Sequence, residues 1–230
     1  MAFILIGILV IAMVFGPSWW AKLTFKRYSK PEERIPGTGG ELAQHLLNRF
    51  EMHDVTVEKT DKPGTDHYDP ESRTVRLSPE YFDQKSLTAV AIAAHEVGHA
   101  IQHFRNEKKL NWRTKLVKFA QGAQQIGAGA MMLIPVLMAI TKAPQSGALF
   151  FLFGIISMGS ATLVHLITLP VEFDASFGKA LPILKSGEYI EKEDEPAVEK
   201  ILRAAALTYV AASLASLLNI WRWLALLRRR

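Results

Sequence analysis

Five consecutive residues carry the chemistry this chain can do: His95-Glu96-Val97-Gly98-His99, an H-E-x-x-H pattern. On an α-helix, side chains four residues apart stand one above the other, about 6 Å apart along the axis. Both imidazoles can therefore reach one zinc ion, and Glu96 can reach the water on that ion as a general base. Seven His and fifteen Glu among 230 residues supply about 0.014 such patterns by chance. The pattern is therefore read as a zinc site, one ion per chain, and not as a His pair on a solvated face. A catalytic zinc takes three protein ligands and keeps one position open. The chain has no Cys, which excludes a thiolate ligand, a thiol nucleophile and a disulfide scaffold. His103, eight residues after His95, lies about 12 Å along a straight helix and is too far to share the ion. The metzincin continuation is absent, because Gln102 and Arg105 stand where its Gly and His would be.

The pattern needs a helix, and the flanking sequence supplies one. Ser86 can cap a helix whose apolar stripe is Leu87, Val90, Ala91, Ala94, Val97 and Ile101. Upstream, Thr38 and Glu41 have capping-box spacing, and Leu42, Ala43, Leu46, Leu47 and Phe50 continue at helical period, so a helix covers roughly 39–52. Val55 and Val57 alternate with polar residues as a short strand. Pro63-Gly64 and Asp69-Pro70 mark turns, and Thr74–Leu77 reads as a second strand. The expected order is helix, hairpin, helix. The strand through Thr74, Val75 and Arg76 precedes the active helix, as an edge strand would if it bound extended substrate; a plain structural strand is the alternative.

Hydrophobic residues make up 49% of the chain and charged residues 21%, which excludes a disordered chain. The apolar residues are segregated. No Asp, Glu, Lys or Arg occurs in 1–21, 119–141, 143–171 or 204–221. A segment of about 20 apolar residues spans a bilayer, so these stretches are read as three or four transmembrane helices. Gln121, Gln124 and Gln125 weaken the second, and the Ala- and Ser-rich fourth also fits a buried or interfacial helix. The fold class expected is a mainly α integral membrane protein with a small α+β zinc peptidase domain. It divides into an anchor at 1–21, a catalytic segment at 22–118, a transmembrane hairpin at 119–171, a polar segment at 172–203 and a hydrophobic helix at 204–227. The first segment lacks a basic start and ends on Trp19-Trp20, so it reads as a retained anchor.

The net charge of +5 comes from Lys and Arg flanking these segments, which places 22–118 on the cytoplasmic side and does not call for nucleic acid. Arg228-Arg229-Arg230 run against that scheme if the fourth segment spans. A hairpin at 119–171 would return Glu172 to the face of the H-E-x-x-H helix, so convergence of His95, His99 and Glu172 is permitted. An acid pair with Asp174 that merely faces water is the alternative. His165, in an apolar stretch, is read as a packed polar residue.

Nearly the whole chain resembles the YugP-type membrane zinc metallopeptidases, also labelled neutral zinc metallopeptidases. The resemblance is carried by the anchor, Asp66-His67-Tyr68-Asp69-Pro70, Thr74-Val75-Arg76-Leu77-Ser78, Ala93–Gln102, Leu169–Ser176 and Leu207–Ala212. That family looks like a gluzincin, which implies a Glu as third ligand, here Glu172. It implies hydrolysis of peptide bonds in a protein or peptide substrate, at the cell membrane and in contact with the lipid bilayer. Gluzincins often place an Asp four residues after the ligand Glu, where it orients a ligand His. That position is Ser176 here, and Asp174, two residues along, is the candidate for the role. His67 and Tyr68 are the candidates for stabilising the oxyanion of the tetrahedral intermediate. The rival reading is a non-catalytic membrane scaffold with a structural zinc. Glu96 argues against it, because a structural site needs ligands and no base.

Overall fold

A computed structural model describes residues 2–141 and 167–208, with the isolated positions 152, 164 and 210. The chain divides into two units. One comprises Gly16–Asn111 and Leu169–Thr208, and the other Met1–Phe15, Trp112–Thr168 and Tyr209–Arg230. The first holds the H-E-x-x-H helix and Glu172. Of the second, the described part is chiefly the first half of helix α1 (Ala2–Tyr28) and most of helix α5 (Lys108–Thr141).

The first unit is mainly helical with one small sheet. Helix α2 (Gly39–Arg49) begins at a complete capping box. The Thr38 hydroxyl accepts from Glu41 N at 3.2 Å and the Glu41 carboxylate accepts from Thr38 N at 2.7 Å. Its buried stripe, Leu42, Ala43, Leu46 and Leu47, is the one the 3.6-residue period requires. Strands β1 (Thr56–Lys59), β2 (His67–Asp69) and β3 (Thr74–Leu77) follow, then the short helix α3 (Pro79–Phe82). Helix α4 (Leu87–Phe104) is capped by the Ser86 hydroxyl, which accepts from Ala89 N at 3.2 Å, and its residues through Gln102 are all buried. One core joins Leu46 and Leu47 of α2, Val75 and Leu77 of β3, Val97 and Ile101 of α4, and Ile201 and Leu202.

Three expectations are corrected. First, among the described residues no helix is long and apolar enough to cross a membrane, so the three or four transmembrane helices expected from the charge-free stretches are overturned. In α5 the first half carries Lys108, Lys109, Arg113, Lys115 and Lys118 and then three Gln. What remains apolar, 126–140, is about 22 Å of helix, short of a hydrocarbon core of about 30 Å. The third and fourth stretches lie for the most part outside the described residues, as does His165. Second, the two expected strands do not form a hairpin. β1 pairs parallel with β3, and β2, hidden between the turn signals, is the antiparallel partner of β3. Third, the sheet order is β1-β3-β2, so β3 is the central strand. Both its edges are already paired, and Thr74, Val75 and Arg76 have no free ladder to offer an extended peptide.

Candidate metal centre

Two antiparallel elements build the site. One is α4. The other is a helical stretch over 167–186 that widens into a π-helical turn at Asp174–Ala180, directly after Glu172. π-turns recur at functional sites because the extra residue re-aims side chains without ending the helix. Gly98 explains how closely the two approach: a Cβ there would stand 2.8 Å from the Ala175 carbonyl oxygen. Val171 and Asp174 therefore meet the C-terminal half of α4, while Ser176 meets His95 one to two turns earlier.

His95, His99 and Glu172 are all buried, and one donor atom from each lies within 4.8 Å of the others. Glu172 Oε2 is 3.3 Å from His95 Nε2 and 3.1 Å from His99 Nε2. Tetrahedral zinc with bonds near 2.0–2.1 Å separates neighbouring ligand atoms by roughly 3.3–3.5 Å, so the spacing fits that ion. Burial opposes the charge on Glu172, and His99 and His95 outweigh it only where positive charge stands on their Nε2 side, which holds the carboxyl well below its usual range.

The outer faces of both rings are occupied. Ser176 Oγ donates to the Leu202 carbonyl at 3.2 Å and lies 3.0 Å from His95 Nδ1. A hydroxyl has one hydrogen, so here it accepts from His95 Nδ1–H. Gln102 Nε2 donates to the Val171 carbonyl at 3.0 Å and to Asp174 Oδ2 at 2.8 Å. Its Oε1 is 3.0 Å from His99 Nδ1 and can only accept. Both hydrogens are thus assigned by the network to Nδ1, and each Nε2 turns a lone pair toward a carboxylate oxygen. Adding a proton to each Nε2 would put two cationic rings, centroids 4.8 Å apart, in a buried site. One divalent cation relieves both contacts. Two imidazole nitrogens and a carboxylate oxygen are a donor set that suits zinc.

The residues expected from sequence divide into three groups. His95, His99 and Glu172 converge, with Glu96 buried on the same helix. Asp174 does not touch a ligand ring. It holds the Gln102 amide and Lys179 Nζ at 2.9 Å, which also meets Glu107 at 3.1 Å. Burial opposes its charge, and Gln102 and Lys179 lower its pKa nonetheless. His67 and Tyr68 are engaged elsewhere: His67 Nδ1 with the Thr65 carbonyl at 2.7 Å, and the Tyr68 hydroxyl with His103 Nδ1 at 2.8 Å. Gln102 and Ser176 are the residues the sequence reading passed over for ring orientation. The available signal was spacing, three residues after His99 and four after Glu172. Gln102→Leu and Ser176→Ala should each weaken metal binding roughly 10–100-fold, measured by competition with a chromogenic chelator. Unchanged affinity in both would mean the rings are held by packing alone.

Comparison with known proteins agrees with this donor set. A family model described as "Putative neutral zinc metallopeptidase" matches residues 2–228. The "Putative membrane protease YugP" of Bacillus subtilis (strain 168) is 40% identical over 228 residues, covering 97% of this chain and 95% of that protein. No solved structure matches significantly.

Proposed function

The chain belongs to the neutral zinc metallopeptidase family, and from that premise we propose that it hydrolyses peptide bonds at a zinc ion held by His95, His99 and Glu172. The observation that carries the reading is the convergence of those three buried donors with both ring hydrogens committed outward. A zinc bound there supplies Lewis acidity and brings the ionisation of a water toward neutral pH. Glu96, one residue beyond His95, accepts the proton of the attacking water and returns it to the leaving amine. Ser176 and Gln102 hold the two rings so that each Nε2 faces the ion's position. The relative's name also places that protein at a membrane, and a membrane-associated location is part of the reading.

The test is metal analysis joined to peptide-library hydrolysis on the purified chain. About one zinc per chain is expected, with cleavage lost on chelation and restored by added zinc. Cleavage that persists after the metal has been stripped would reject the reading.

A further inference from the structure

The C-terminal end of α4 carries a second feature that metal binding does not use. A pocket of about 240 Å³ opens there, lined by Val55, Ala100, Tyr68, His103 and Phe104, with Asp54 and Arg73. Its position relative to the catalytic helix follows from helix geometry. Ala100 and His103 come four and seven residues after Glu96, so the three share one stripe of α4. Along the axis they lie about 6 and 10 Å beyond Glu96. An extended peptide advances about 3.3 Å per residue. A substrate running along this stripe would therefore set a side chain in the pocket two or three residues from the bond being cut.

The polar groups of the pocket define what that side chain is. The Tyr68 hydroxyl and His103 Nδ1 are 2.8 Å apart. Burial pushes the Tyr68 phenol up to about 12, so it keeps its proton. Two arrangements are open to the pair. If the phenol donates, the phenol oxygen remains an acceptor and His103 Nε2–H a donor. If the ring donates, the phenol hydrogen is the donor and Nε2 the acceptor. Either way the pair keeps one donor and one acceptor in hand, and among the described residues neither atom has another hydrogen-bond partner. The charges here cancel, because Arg73 and Asp54 form an ion pair with each other. Arg73 also sits at φ 51°, in the turn between β2 and β3. That left-handed conformation favours Gly.

We propose that this pocket is a substrate subsite selecting an uncharged carboxamide side chain, Gln or Asn, two or three residues from the scissile bond. A carboxamide carries a donor and an acceptor on separate atoms without bringing charge, where a Ser or Thr hydroxyl offers both from one atom on a shorter stem, and Val55 and Ala100 supply apolar lining for its methylenes. The inference rests on the proposed peptidase activity and names the specificity of that same site.

The experiment is a positional-scanning peptide library on the zinc-loaded chain, followed by matched peptides bearing Gln, Met, Glu or Lys at the selected position. Gln should exceed Met in kcat/KM by roughly severalfold to tenfold, because the half-buried pair is left unmatched by Met, and Glu and Lys should be disfavoured. Tyr68→Phe and His103→Leu should each bring the Gln-to-Met ratio to about one while the chain still carries its zinc. Equal cleavage of Gln and Met at every position overturns the subsite. So does a Tyr68→Phe variant that lowers kcat by one factor for all peptides and keeps the ratio, since Tyr68 would then act on the oxyanion. A zinc-loaded wild-type chain that cleaves nothing overturns the peptidase reading and the subsite with it, an outcome distinct from cleavage without selectivity.

Discussion

Glu96→Gln is expected to lower peptide hydrolysis roughly 10²–10⁴-fold, the usual contribution of a positioned general base, while the protein keeps its zinc. The substitution isolates one property. Gln has the shape of Glu, so the buried position on α4 is filled as before. It leaves His95, His99 and Glu172 in place. What it removes is the ability to take a proton from water and hand it on. The outcome separates an enzyme from a zinc scaffold, because a structural site needs its ligands and has no use for a base. Zinc content and turnover must be measured on the same preparation. Full zinc with lost turnover assigns the proton transfer to Glu96. Wild-type turnover with full zinc removes Glu96 from the mechanism and sends the search for a base elsewhere in the site.

Local rules made much of the active helix readable. The Ser86 cap, the apolar stripe of α4 and the Thr38–Glu41 capping box each depend on residues within four positions of one another, and each is found in the structure. The sheet was less readable for a physical reason. Pairing between β1 and β3 is parallel and non-local, and β2 is three residues long between two turn signals. Alternation in so short a run carries no information about its partner. The charge-free stretches misled in another way. Absence of charge is a weaker condition than enough continuous apolar length, and in α5 a polar first half takes up the difference. At the candidate metal site the three converging donors were legible and the residues behind them were not. Ser176 and Gln102 stand at helical spacing from Glu172 and His99. Spacing alone did not say that His95 would meet Ser176 of the opposite helix, that Gln102 would be held there by Val171 and Asp174, or that a π-turn would follow Glu172.

Glu172→Ala is expected to weaken zinc binding by more than about a hundredfold and to abolish hydrolysis. The floor on that figure comes from the residues behind the ligands. Loss of a group that orients a ligating His typically costs about 10–100-fold in metal affinity, and a lost ligand must cost more than a misoriented one. Glu172 is fully buried, and its Oε2 faces both Nε2 atoms. Its removal leaves two imidazoles, and two ligands do not make a zinc site. Glu172→Gln tests the same point with the volume kept, since a neutral amide is a poor substitute for a carboxylate at zinc. A graded series follows from the hydrogen bonds. Glu172→Ala should lose most, Gln102→Leu and Ser176→Ala less, and Asp174→Ala least, because Asp174 acts on His99 only through Gln102. The series is read as zinc retained against rising chelator concentration. Should Glu172→Ala stay fully loaded where Gln102→Leu has been stripped, Glu172 is not the third ligand. The order of the series matters more than any single value, because a variant that merely loosened the fold would lose zinc without regard to which atom it had touched.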